Sequence, residues 1–251
     1  MDTSNLIQTI LIYALPVLFA ITVHEAAHGY AARHFGDNTA YMMGRITLNP
    51  AKHIDPVGTI LMPLLLYFAT SGAFLFGYAK PVPVNFGNLR KPKQQMVWVA
   101  LAGPASNFVQ AVAWGVVLIT MVGMGVDERF FIEMARAGVQ VNLVMWAFNL
   151  FPLPPLDGGR ILVGLLPWKQ AHMVSRIEPW GFFIVMALVI AGVVGSLWLR
   201  PLMSLGYSTI NLLLTPLTAC TKLDAGPASA THTICCLGLR KLPKLTGTGL
   251  A

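Results

Sequence analysis

The sequence predicts an all-α polytopic membrane protein, and three observations carry that prediction. The first is composition: of 251 residues, 55% are hydrophobic and only 11% are charged, where a soluble domain carries about 25% charged residues. The second is run length, because about 20 apolar residues coiled as a helix span the ~30 Å hydrocarbon core of a bilayer. Runs at residues 6–32, 97–123, 139–156, 179–199 and 202–219 meet that length. The third is clustering, since the charges gather between these runs and leave them nearly clean. A further stretch, 57–78, is long enough but is interrupted by Gly58, Pro63, Gly72 and Gly77.

The net charge of +7 does not indicate a nucleic-acid partner. The basic residues sit in short loops between apolar runs, where the positive-inside rule places them. Cys220, Cys235 and Cys236 lie at or beyond the last run and form neither a zinc spacing nor a disulfide framework. The first run is expected to stay in the protein, because Asp2 stands where a signal peptide has basic residues and no small-residue cleavage site follows. Residues 1–220 contain no repeat or low-complexity block and read as one transmembrane domain. Residues 221–251 are rich in Gly, Thr, Ala and Lys, and read as a disordered C-terminal tail. His232 beside Cys235 and Cys236 offers at most an adventitious metal contact.

The chemistry is concentrated in His24-Glu25-Ala26-Ala27-His28. Four residues apart on a helix is about 40° of rotation and one turn of rise, so both imidazoles can reach one ion. Glu25 projects beside them, able to touch water at the metal without being a ligand. Two histidines and a glutamate in an apolar helix are costly unless paired or metal-bound. Helix-packing histidines bonded to backbone are the bland alternative.

A catalytic zinc site needs three protein ligands and one open position. Asp157 stands directly at the end of the 139–156 run, in Asn149-Leu-Phe-Pro-Leu-Pro-Pro-Leu-Asp157-Gly-Gly. Pro152, Pro154 and Pro155 cannot continue a helix, so the chain must unwind before Asp157. Irregular backbone at membrane depth is tolerated where it is buried in protein or lines a watery cavity. The glycines that follow permit close approach. The competing reading makes Asp157 an interfacial residue after an ordinary helix end. His53 and Asp55, beside Pro56, read either as a fourth ligand or relay or as an interfacial loop. His34 reads as a surface residue.

Taken together these motifs resemble the site-2 protease family of intramembrane zinc metalloproteases. The resemblance rests on the H-E-x-x-H helix, on N-x-x-P-x-x-x-L-D-G from Asn149, and on Ala102-Gly103-Pro104 with Asn107 between them. It covers roughly residues 6–166. It implies a site-2 protease-like transmembrane core holding Zn2+ on His24, His28 and Asp157. A zinc-bound water, activated by Glu25 as general base, would cleave transmembrane protein substrates within the lipid bilayer. Asn149 matches a residue that holds substrate or the oxyanion. The chain departs from larger members in having no room for a PDZ or CBS domain.

Topology tests that reading. His24 and Asp157 both fall toward the C-terminal ends of their runs, so those helices should point the same way, with 97–123 antiparallel between them. Parity then requires 57–78 to be a re-entrant hairpin. With the active site toward the cytosol of a bacterial or archaeal plasma membrane, fourteen of the seventeen basic residues are cytosolic. The exceptions are Arg129, Arg136 and Arg200. Residues 41–48 carry strand-like types that could hold an extended substrate, and read equally as a connecting turn. Two rivals stand beside the protease: a membrane metal-ion transporter, which would show several polar stations along a path, and a non-catalytic metal-binding scaffold, which would not need Glu25.

Overall fold

The computed structural model describes residues 3–61, 65 and 80–224. Helix α1 spans Thr3–His34 and ends where Gly36 takes φ 114°, a left-handed conformation open to a residue without Cβ. The amides of Gly36 and Asp37 there return to Arg33 O and Ala32 O at 3.1 and 2.9 Å, satisfying carbonyls of the last turn. A short α2, Thr39–Met42, follows. Helix α3, Pro92–Gly123, opens on a proline whose missing N–H costs nothing at that position. The Gln95 side chain accepts the Lys91 amide at 2.8 Å. The remaining α-helices among the described residues are α4, Arg129–Asn149, α5, Asp157–Leu165, α6, Trp168–Ser175, α7, Glu178–Ile190, and α8, Arg200–Asp224. The described residues contain no strand.

Helix α3 is the hub, packed against α1, α4, α5 and α8. Ala111 and Ile119 of α3, Val139 and Leu143 of α4, and Ile210 and Leu214 of α8 form a continuous apolar core. Lipid is as apolar as a leucine, so helices in a bilayer hold together by close packing over small residues rather than by escape from water. Gly115 illustrates this: a Cβ there would press within 2.7 Å of Leu214 Cδ1. At Gly138 a Cβ would overlap the Trp114 indole. Large apolar side chains such as Ile7, Leu11, Phe183 and Leu212 are exposed on the outside of the helices, as a multi-pass integral membrane protein requires.

Among the described residues the spans are fewer and less regular than the apolar runs suggest. Ile7–His34 and Pro92–Gly123 are long and apolar enough to cross a membrane, and a third span exists if α6 and α7, bent by 67°, are taken as one. The run at 139–156 belongs to a helix that starts at Arg129 and stops at Asn149. Glu133, Arg136, Gln140 and Asn142 dilute its hydropathy, and the prolines end it. The run at 179–199 is not one straight helix. It breaks after α7, Gly192 takes φ 73°, and a π-helical turn, Val194–Leu199, leads into α8. Helix α8 continues to Asp224, past the boundary expected at 220; residues 225–251 lie outside the described residues. So does most of 57–78, where the turn Pro56–Leu61 and residue 65 are described.

Residues 41–48 are not a strand. The amides of Gly44 and Arg45 close the end of α2 on Tyr41 O and Ala40 O, both at 2.9 Å, and Gly44 takes φ 61°. Those donors are therefore unavailable to a sheet edge. The irregular chain that shares a cavity with the two histidines is instead the 80–85 segment.

Candidate metal centre

Helix α1 carries His24 and His28 one turn apart on the side facing α3. Their rings meet nearly at right angles, 86°, with centroids 4.7 Å apart. The Nδ1 atom of each ring is engaged by a fixed acceptor. His24 Nδ1 lies 2.6 Å from Asn107 Oδ1, and His28 Nδ1 lies 2.7 Å from the Val99 carbonyl. Asn107 is itself oriented, because its Nδ2 donates to Ala20 O at 3.1 Å and to Asn142 Oδ1 at 3.0 Å. Asn142 Nδ2 donates in turn to Gly138 O at 2.9 Å. A carbonyl acceptor at Nδ1 puts the proton there. The Nε2 atoms are then left as bare lone pairs.

Those two lone pairs converge on a third. Asp157 Oδ2 lies 3.3 Å from His24 Nε2 and 3.3 Å from His28 Nε2, and the two Nε2 atoms are 3.1 Å apart. Asp157 Oδ2 is buried and takes part in no hydrogen bond. Three acceptors pointing at one spot without a proton between them repel one another, and a cation removes that repulsion. Zinc–ligand bonds of about 2.0–2.1 Å at tetrahedral angles put donor atoms about 3.3 Å apart. The observed edges match, and the donor set of two imidazoles and a carboxylate suits zinc. Among the described residues this is the one group of three such side chains close enough to share an ion.

Local sequence explains how the three meet. At Gly103 of α3 a Cβ would run into both imidazoles, at 2.6 Å from His24 Cε1 and closer still to His28 Nε2. On the other side, Pro152 to Pro155 unwind the chain after α4, and Asp157 opens α5, where the helix dipole favours a carboxylate. Gly158 and Gly159 sit flush on the backbone of Leu150 and of Leu153–Pro154. A side chain at either would push Asp157 off the histidines.

The three residues border a cavity of about 380 Å³ that Glu25, Asn149 and Arg160 also line. Glu25 Oε2 accepts a hydrogen bond from the Val82 amide at 2.7 Å. One amide hydrogen of Asn149 is given to Met145 O at 3.0 Å. His53 is elsewhere: buried in the loop, its Nε2 at 2.9 Å from Thr47 O. Asp55 caps the following turn through the amides of Val57 and Gly58 at 2.9 and 2.7 Å. His34 is exposed. The sequence reading missed Asn142 and the wall formed by Pro81, Val82, Pro83 and Val84. An asparagine inside an apolar helix is a usable signal by the same cost argument that picked out the histidines. The wall has no such signal, since its contribution comes from backbone.

The profile of peptidase family M50 matches residues 12–140 and 128–192 of the chain. This chain belongs to peptidase family M50. That is the site-2 protease family its motifs resemble. Among relatives, “Putative zinc metalloprotease YwhC” of Bacillus subtilis is 38% identical over 206 residues, covering 78% of this chain and 87% of that protein. “Putative zinc metalloprotease Rip2” of Mycolicibacterium smegmatis is 30% identical over 181 residues, covering 69% of this chain and 64% of its own length. “Stage IV sporulation protein FB” of Bacillus subtilis is 26% identical over 166 residues, 64% of this chain and 54% of that protein. No solved structure matches.

Proposed function

We propose that this protein is a zinc metalloprotease that hydrolyses peptide bonds within or beside the transmembrane segments of membrane-protein substrates. The observation that carries the reading is the convergence of His24 Nε2, His28 Nε2 and Asp157 Oδ2 within 3.1–3.3 Å, on the cavity that Glu25 also lines. A shared ion explains that convergence; helix packing does not. Family membership and the names of the relatives point the same way.

Zinc bound by these three residues supplies Lewis acidity, lowering the pKa of water and polarising a scissile carbonyl. The chain's own groups do the rest. Glu25 accepts a proton from the attacking water and passes it to the leaving amine. Asn149, at the cavity edge, turns its amide toward the substrate or the oxyanion. The unwound chain between α4 and α5 gives water a polar route to a site inside apolar helices. A helical substrate must itself unwind to offer its carbonyl, so segments with weak helices are preferred. The excess of basic residues in the loops around this mouth supports a cytosolic location for it.

The test compares Glu25→Gln with Asp157→Ala in detergent-purified protein. Glu25→Gln should keep about one zinc per chain and lose cleavage of a test transmembrane substrate. Asp157→Ala should lose zinc and activity together, and melt earlier, because a metal that binds only the native state stabilises it by mass action. Turnover near wild type in Glu25→Gln removes the base assignment and favours a transporter. Full zinc in Asp157→Ala moves the third ligand elsewhere.

A further inference from the structure

A second wall of the cavity is the irregular 80–85 segment, and polar contacts fix it at both ends. At the near end, the Lys80 amide donates to His53 O at 2.9 Å. Arg45 Nη2 donates to Lys80 O at 3.0 Å and to Pro81 O at 3.3 Å. At the far end, the fully buried Asp37 accepts the Asn85 amide at 2.7 Å and Asn88 Nδ2 at 3.1 Å. Asp37 is also bonded by the Thr39 amide and hydroxyl at 3.0 and 2.5 Å. Between these anchors stand Pro81 and Pro83, which have no N–H to give. Val82 is the donor between them, and its amide points at Glu25 Oε2, 2.7 Å away.

We infer that the 80–85 segment positions the catalytic carboxylate, with the Val82 N–H holding Glu25 Oε2 so that the other oxygen is left to handle the proton. This rests on Glu25 being the base. A charge-assisted bond of this length is roughly twice as strong as a neutral one, and it selects one side-chain conformation from the several a free glutamate samples. The two prolines serve the same end. Each stiffens the segment, and Pro83 confines Val82 to the extended region from which its amide reaches α1. Val82 is a positioning residue that acts through its backbone, so its side-chain identity should matter little.

Substitution can separate backbone from side chain. Val82→Ala and Val82→Pro both lose the isopropyl group, but only proline loses the N–H. Val82→Ala should keep kcat within about threefold of wild type. Val82→Pro should lower kcat by about 10- to 100-fold, the scale of a small misplacement at a reacting centre, with KM and zinc content unchanged. Equal kcat in the two variants overturns the inference while leaving any loss in Glu25→Gln intact, so the two failures are distinguishable. Zinc loss in Val82→Pro also overturns it, making the segment a support of the metal site. If Val82→Pro does not accumulate, amide hydrogen exchange in wild type and Glu25→Ala decides. The Val82 amide should exchange about tenfold faster in Glu25→Ala while the Asn85 amide keeps its protection; equal Val82 protection in both refutes the bond.

Discussion

The two walls of the cavity are built by different means. The histidine wall is helical: α1 and α3 packed through Gly103, with His24 steered by buried Asn107 and, through it, Asn142. The second wall is irregular chain, held by Asp37, Arg45 and the Glu25 carboxylate. Close-packed helices have discrete arrangements and tolerate no added volume. A wall held by a few side-chain hydrogen bonds tolerates volume but depends on charge state and on each donor. Steric change should therefore be severe on the first wall, and electrostatic change should reveal itself on the second.

The largest effect should come from the smallest steric change. Gly103→Ala puts a methyl group against both imidazoles, so bound zinc and proteolysis should fall at least about 100-fold, the scale of a 1 Å misplacement. Metal analysis of the purified variant checks this, and full zinc occupancy would show that α3 can back away from α1. Next comes Asn107→Ala, which removes the acceptor that orients His24 and the donor that satisfies Asn142 Oδ1. Zinc affinity should drop about 10- to 100-fold, as for other groups that orient a metal ligand. Competition with a zinc chelator measures it, and unchanged affinity would mean the ring is held by packing alone.

The smallest effect should be the most informative about the second wall. Burial pushes the Asp37 carboxyl up, but the hydrogen bonds from Thr39, Asn85 and Asn88 together hold it below its ordinary value. A carboxylate depressed in the folded state contributes stability that is present above the unfolded pKa of about 3.9 and is lost as pH falls through the folded value. Wild type should thus melt above Asp37→Asn near neutrality, and the gap should narrow as pH falls below about 4. Melting curves of the two proteins across that range provide the check. A gap independent of pH would assign Asp37 a steric role only.

The same contrast explains what could be read from sequence. The candidate site residues His24, His28 and Asp157, with Glu25, stand out in the sequence because side chains of that chemistry are costly beside or within an apolar run and need a reason, and the fold brings the first three together. Asn142 obeyed the same rule and was passed over for want of a recognised spacing. The second wall was not legible, because the Val82 amide is common to all residues but proline and its role follows from tertiary placement. Helix boundaries failed for a related reason. Hydropathy marks where a chain becomes apolar, not where it coils, so α4 begins at Arg129, eased by the Glu133–Arg136 pair at 2.9 Å, well before its apolar run.

The split of the candidate ligands between α1 and α5 also has a consequence for biogenesis. Both histidines leave the ribosome with the first helix, but Asp157 follows only after α3 and α4 have been made and inserted. During synthesis the nascent chain offers two imidazoles from one helix, a weak and open chelate, until α3 supplies the acceptor at Asn107 and α5 delivers the carboxylate. If these three residues together hold the ion, metal capture would follow assembly of the helices around it. A protease that gained its metal only then would be inert while its own transmembrane segments are still unpacked.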